Sequence, residues 1–253
     1  MLDLVTVALA SLLAGFIDAV VGGGGLILVP ALFSVYPQAT PATLFGTNKG
    51  AAIWGTAWAT RQYAARVTLP WHALLPAAVA ALLGSFGGAW TVTLVSPEGL
   101  RKLLPLILGA VLLYTLAKKD LGREHAPRFS GRSEMLLASL IGGVIGFYDG
   151  FFGPGTGSFF VFLFVRLLGF DFLHASASAK LLNTATNAAA LLLFTMKGHL
   201  WWHIAAVMAV TNVIGSLLGT RMALARGTGF VRGMFVLVVG ALILKTSYDA
   251  FLR

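Results

Sequence analysis

Hydrophobic residues along this chain fall into long runs separated by short polar breaks, and ten such runs can be marked out. Five lie at about 2–21, 26–36, 43–61, 72–94 and 102–117, and five at about 133–152, 157–169, 175–196, 202–221 and 231–251. Windows such as 4–21, 74–95, 136–152 and 234–251 are long enough as helices to cross a hydrocarbon core of roughly 30 Å. The second run of each half is not. As a helix, residues 26–36 would cover roughly 16 Å, about half the core. Gly22-Gly23-Gly24-Gly25 precedes it, and Gly153-Pro154-Gly155-Thr156-Gly157 precedes its partner. Runs one and two of each half are therefore expected to form a hairpin, crossing or re-entrant, with a glycine-rich tip.

The two halves repeat at a spacing of 131 residues without a gap. Gly15-Phe16-Ile17-Asp18 returns as Gly146-Phe147-Tyr148-Asp149, Lys49 as Lys180, Trp71-His72 as Trp202-His203, and Gly84-Ser85 as Gly215-Ser216. Shared apolar composition would not align Asp with Asp and Lys with Lys. Duplicated hydrophobic halves broken by glycine at matching places are a sequence mark of secondary transporters.

Composition narrows the class. The chain is 58% hydrophobic and 11% charged, against about 25% charged in soluble domains, so lipid must be the solvent for most of its surface. The first run lacks a basic leader and continues into the repeat, which reads as a membrane segment rather than a cleaved signal. The net charge of +9 lies between the hydrophobic runs and matches no nucleic-acid motif, so it reads as loop charge. There is no cysteine, hence no disulfide or thiol chemistry.

Those loop charges orient the halves. If the second copy is upside down relative to the first, one face holds Arg61, Arg66, Lys118, Lys119, Arg123, Arg128, Arg132, Arg166, Arg221, Arg226 and Arg232. The other keeps mainly Arg101, Lys102, Lys197 and Arg253. That bias fits the positive-inside rule; a parallel duplication gives a weaker one. The expected fold is an all-α polytopic membrane protein of about 8–10 segments. Two inverted five-segment repeats, 1–117 and 133–253, flank a basic cytoplasmic linker at 118–132.

Candidate chemistry lies at the tips and in the third run of each half. Gly23, Gly24 and Gly25, with Gly155 and Thr156, can serve close packing. They can also present free N–H groups at a helix start, where an anion is favoured. Lys49 and Lys180 lie within apolar runs, and Asp18 and Asp149 just before the tips; ionisable groups at that depth are costly and mark function by default. They suit structural Asp–Lys pairs, or an anion site with aspartates that exchange protons. Ser176, Lys180, Asn183 and Asn187 are spaced to share one helix face, which must look onto protein or water. Thr47, Asn48, Lys49 and Thr56 occupy the corresponding helix of the first half. Lysine among amide donors suits a small oxyanion. His72 and His203 stand beside tryptophans at segment starts, as interface anchors do. No metal-ligand spacing, cofactor motif, phosphate-loop ending or nucleophile motif is present.

The residues Gly15-Phe16-Ile17-Asp18-Ala19-Val20-Val21-Gly22-Gly23-Gly24-Gly25, with Gly46-Thr47-Asn48-Lys49, closely resemble the first signature of the sulfite exporter TauE/SafE family. Gly146 to Gly157, with Ala179-Lys180-Leu181-Leu182-Asn183, resemble the second. The resemblance spans nearly the whole chain. It implies an inner-membrane carrier, an exporter, of small sulfur-containing anions such as sulfite, thiosulfate or organosulfonates. A proton-coupled cycle, a homo-oligomer, an anion channel and a carrier of another anion such as a carboxylate stay open. The halves differ where Gly25 meets Thr156, Ala52 meets Asn183 and Thr56 meets Asn187, so the site is expected to be asymmetric.

Overall fold

A computed structural model describes residues 2–92 and 122–251; the expected segment at 102–117, along with Arg101, Lys102, Lys118, Lys119 and Arg253, lies outside these. The described chain is helical: α1 (Leu2–Val21), α2 (Gly25–Val35), α3 (Pro41–Ala64), α4 (Trp71–Val92), α5 (Gly131–Phe151), α6 (Thr156–Leu163), α7 (Phe172–Met196) and α8 (Trp202–Phe251). A π-helical turn, Phe164–Leu168, extends α6. Helices α1, α4, α5 and the stretch Trp202–Ala241 of α8 are long and apolar enough to cross a membrane. Leu9, Leu13, Leu83, Leu136, Leu140, Val210 and Leu218 are exposed on them, as lipid-facing side chains are.

Two expected boundaries change. The runs at 202–221 and 231–251 are two helical stretches of α8 that meet at a kink, Gly227, with φ 69° and ψ −165°. A single glycine at positive φ breaks the helix and reorients the chain where a nine-residue loop was expected. The short segments keep their expected size: α2 has 11 residues and α6 has 8 before its π turn.

Helices α3 and α7 are the least apolar, yet they carry long buried faces. They form the middle of the molecule, where neighbouring helices supply hydrogen-bond partners that lipid cannot. Around them α1 packs on α8 and α4 on α5, so each half lends its first helix to the fourth helix of the other. Glycine makes these crossings close. A Cβ on Gly15 would overlap the backbone of Asn212, and one on Gly146 that of Ala81. Gly84 lies on Gly143 as Gly215 lies on Leu12, and Gly88 on Phe147 as Gly219 on Phe16. Moving both partners by 131 residues, one forward and one back, turns each contact into its twin. Numbering rises together in α1 and α8. Between α3 and α7 it runs oppositely, since Thr56 meets Asn187 and Thr60 meets Thr184.

Candidate functional site: a cavity between two glycine tips

The same exchange governs the buried charges. Lys49 Nζ donates to Asp149 Oδ2 at 2.6 Å, and Lys180 Nζ to Asp18 Oδ2 at 2.8 Å. Each lysine on a third helix is thus neutralised by the aspartate that ends the first helix of the other half. Side-chain exposures are 6% and 5% in the first pair, and 0% and 20% in the second. Without these partners, ammonium groups at such depth would be prohibitively costly. Ser85 Oγ donates to the Thr186 carbonyl and Ser216 Oγ to that of Gly55, again related by 131. Thr56 and Asn187 are each other's counterparts, and Asn187 Nδ2 donates to Thr56 Oγ1 at 3.3 Å.

The two tips meet at the centre. Gly22 and Gly157 lie backbone to backbone, with no room for a Cβ on either. Gly22, Gly23, Gly153 and Gly155 all have positive φ, a conformation that costs glycine little. Ser158 Oγ donates to the Gly22 carbonyl and Ser176 Oγ to that of Val20 at 2.9 Å, tying the tips to each other and to α7. Between the tips is a cavity of about 40 Å³, room for about three waters.

Most of the expected site residues line it: Asp18, Gly23, Gly24, Gly25, Asn48, Lys49, Asp149, Gly155, Thr156, Asn183 and Asn187. Lys180 is the exception, wholly buried behind Asp18. Ser176, Lys180, Asn183 and Asn187 do share a face, turned toward α1, α3 and the second tip. The Asn48 side-chain oxygen, on a residue 7% exposed, has no partner among the described residues. An orphaned acceptor beside a polar cavity marks a place for a water or ligand group.

Sequence reasoning missed Asn212, which also lines the cavity and donates to the Ser11 carbonyl at 3.2 Å. An amide within a largely apolar run was the available signal, but its counterpart in the first half is Ala81, so the repeat does not mark it. A cluster outside the cavity was missed too. His125, Asp171 and His174 bring ligand-type atoms within 4.8 Å of one another. His125 stacks on His174 at 3.9 Å, while Asp171 accepts from the His174 N–H at 2.7 Å and caps α7.

The profile of the family described as "Sulfite exporter TauE/SafE" matches residues 7–246. The chain belongs to this family. Among its relatives is the "Probable membrane transporter protein YfcA" of Escherichia coli (strain K12), 38% identical over 240 residues, covering 95% of this chain and 88% of that protein. "Probable membrane transporter protein ORF9" of Sinorhizobium sp is 35% identical, with coverages of 95% and 90%. A "Probable membrane transporter protein" of Haemophilus influenzae is 36% identical, with coverages of 93% and 91%. No solved structure matches. As a TauE/SafE member, the chain is an integral membrane transporter rather than an enzyme.

Proposed function

We propose that this TauE/SafE protein is a secondary carrier that exports small sulfur-containing oxyanions across the inner membrane, by alternating access between two inverted repeats. The family description supports the substrate class. The observation that carries the reading is the cavity itself, enclosed by both tips and lined by Lys49, Asn48, Asn183 and Asn187. Ammonium and amide donors suit an oxyanion. The opposed chain directions of α3 and α7, equivalent helices of the two halves, support inversion. In such a fold the two ends of the cavity are built from equivalent parts, and exchanging their packings opens one side or the other. We place the repeats at 1–117 and 133–253 and the linker 118–132 in the cytoplasm, as its basic residues favour. Asp18 and Asp149 are the groups through which protons would couple to transport.

A thermal-shift screen of the purified protein against sulfite, sulfate, thiosulfate, sulfoacetate and short carboxylates tests the substrate class, since a ligand that binds the native state stabilises it. Selective stabilisation by sulfite or thiosulfate is expected. Stabilisation by carboxylates alone would make it a carrier of another class.

A further inference from the structure

A second group of ligand-type side chains lies away from the cavity, where residues 122–128 seat on the start of α7. Three backbone bonds hold them there. Phe172 N–H donates to the Gly122 carbonyl at 3.0 Å, Ala126 N–H to that of Gly169 at 3.0 Å, and Arg128 N–H to that of Leu168 at 2.9 Å. The approach is so close that a Cβ on Gly169 would overlap the Ala126 carbonyl. His125 stands between these anchors. Its ring lies 5.2 Å from that of Phe170 and stacks on His174 at 3.9 Å, centroid to centroid. His174 is fixed in turn by Asp171, whose Oδ1 accepts from the His174 N–H at 2.7 Å and whose Oδ2 lies 2.8 Å from His174 Nδ1. Capping of α7 accounts for Asp171 and its hold on His174, but gives His125 no role. Among the described residues, neither ring nitrogen of His125 has a hydrogen-bond partner.

We propose that His125, Asp171 and His174 bind a divalent transition-metal ion, with Zn²⁺ the best fit, and that the ion fastens residues 122–128 to α7. One ligand atom from each residue already lies within 4.8 Å of the other two. Around Zn²⁺, bonds of about 2.1 Å put tetrahedral ligand atoms about 3.4 Å apart. The site therefore closes by no more than about 1.4 Å, which the exposed His125 ring supplies by turning about its side-chain bonds. The backbone on either side of it is already anchored, so little order is left to impose. Asp171 keeps its cap through Oδ1 while Oδ2 turns to the ion. The His174 proton passes from Nδ1 to Nε2, a neutral imidazole being able to carry it on either nitrogen, and no group changes charge. Two imidazoles and one carboxylate form a donor set for Zn²⁺ and its neighbours rather than for Mg²⁺ or Ca²⁺, which need mainly oxygen. Arg123 and Arg128 lie on either side of His125 in the chain and further disfavour cations held by charge alone. Water completes the coordination on the exposed side, which is also the way in. Helix α7 carries Lys180, Asn183 and Asn187, so the clamp acts on the helix that supplies much of the cavity wall. The site does not depend on which anion is carried.

Titration of Co²⁺ and Zn²⁺ into the full-length, tag-free protein in detergent, stripped of metal beforehand with a chelator, tests the site. The wild type is expected to bind Co²⁺ at one site per chain, with the visible bands of nitrogen and oxygen coordination, and to release it to Zn²⁺ but not to millimolar Mg²⁺ or Ca²⁺. His125→Ala and His174→Ala should each weaken Zn²⁺ binding by about tenfold or more. Asp171→Asn keeps an oxygen for the α7 cap but loses the anionic ligand, and should weaken it as well. His203→Ala, at an exposed histidine outside the cluster, should leave binding unchanged. Absence of binding by the wild type, or binding that survives both His125→Ala and His174→Ala, overturns the site. Hydrogen exchange at Ala126 and Arg128 reads the clamp: Zn²⁺ should slow it several-fold in the wild type and not in His125→Ala. Zn²⁺ binding with unchanged exchange would overturn the fastening of this segment to α7.

Discussion

At the residue scale, the paired charges hold the fold together and, on the proposed reading, serve transport. Lys49 and Asp149 are both nearly fully buried, so removing one partner strands the other in a low-dielectric interior. Such losses cost roughly 3–5 kcal/mol. Lys49→Met is expected to lower the unfolding temperature markedly, and Lys49→Met with Asp149→Leu to recover much of that loss without recovering transport. Thermal unfolding of the single and double variants checks this; a single variant as stable as wild type would refute the buried pair. The four charged positions were legible in the sequence because Asp and Lys stand out in apolar runs and recur at one spacing. Their partners were not. Lys49 and Asp149 are 100 residues apart and Lys180 and Asp18 are 162 apart, and periodicity within a helix carries no information about contacts that distant. Asn212 was lost for a different reason: it has no twin, and a search for matched polar residues cannot see an unmatched one.

At the scale of elements, small residues set the distances between helices. A methyl group on Gly84 would strike the Gly143 carbonyl, and one on Gly215 that of Leu12. Overpacking of this kind costs about 1–3 kcal/mol, so Gly84→Ala and Gly215→Ala should each lower thermal stability. The glycines were legible as matched positions of the repeat; which helix each one faced was not, because first and fourth helices pack across the halves. A second element-level prediction concerns residues 122–128 of the linker, which run along the π turn and the start of α7. The N–H groups of Ala126 and Arg128 donate to the carbonyls of Gly169 and Leu168, and His125 stacks on His174. Burial, with His174 beside it, lowers the His125 imidazole below its ordinary value, despite Asp171 nearby. Burial alone would raise the Asp171 carboxyl, but hydrogen bonds from His174 bring it below the usual range. A lowered imidazole means that the undocked linker protonates first. Docking is then complete above about pH 6.5 and weakens as pH falls through the region just below it. The Asp171 contribution is lost only at more acid pH, below the ordinary carboxylate value. Hydrogen exchange at Ala126 and Arg128, corrected for intrinsic rates, should therefore rise between pH 7.5 and 5.5, and do so less in His125→Gln. A flat profile in the wild type would show that this seam does not respond to His125.

At the scale of the whole molecule, several contacts map onto one another through a shift of 131 residues, with Thr56 and Asn187 meeting as equivalents. This was legible in the sequence as far as the 131-residue repeat itself. Only the spatial arrangement could bring both tips, whose sequence difference was already legible, to one cavity. Inversion is directly testable because the chain has no cysteine. Arg66 and Lys197 are equivalent, exposed loop positions. Arg66→Cys and Lys197→Cys should react with an impermeant maleimide from opposite sides of sealed vesicles; labelling from the same side would mean parallel repeats. The most direct test of an anion carrier built on the central cavity is uptake of labelled sulfite or thiosulfate into proteoliposomes. Wild-type protein should accumulate one of these anions, and Lys49→Ala and Lys180→Ala, reconstituted to equal amounts of folded protein, should lose at least tenfold in rate. Undiminished uptake in both variants would contradict it.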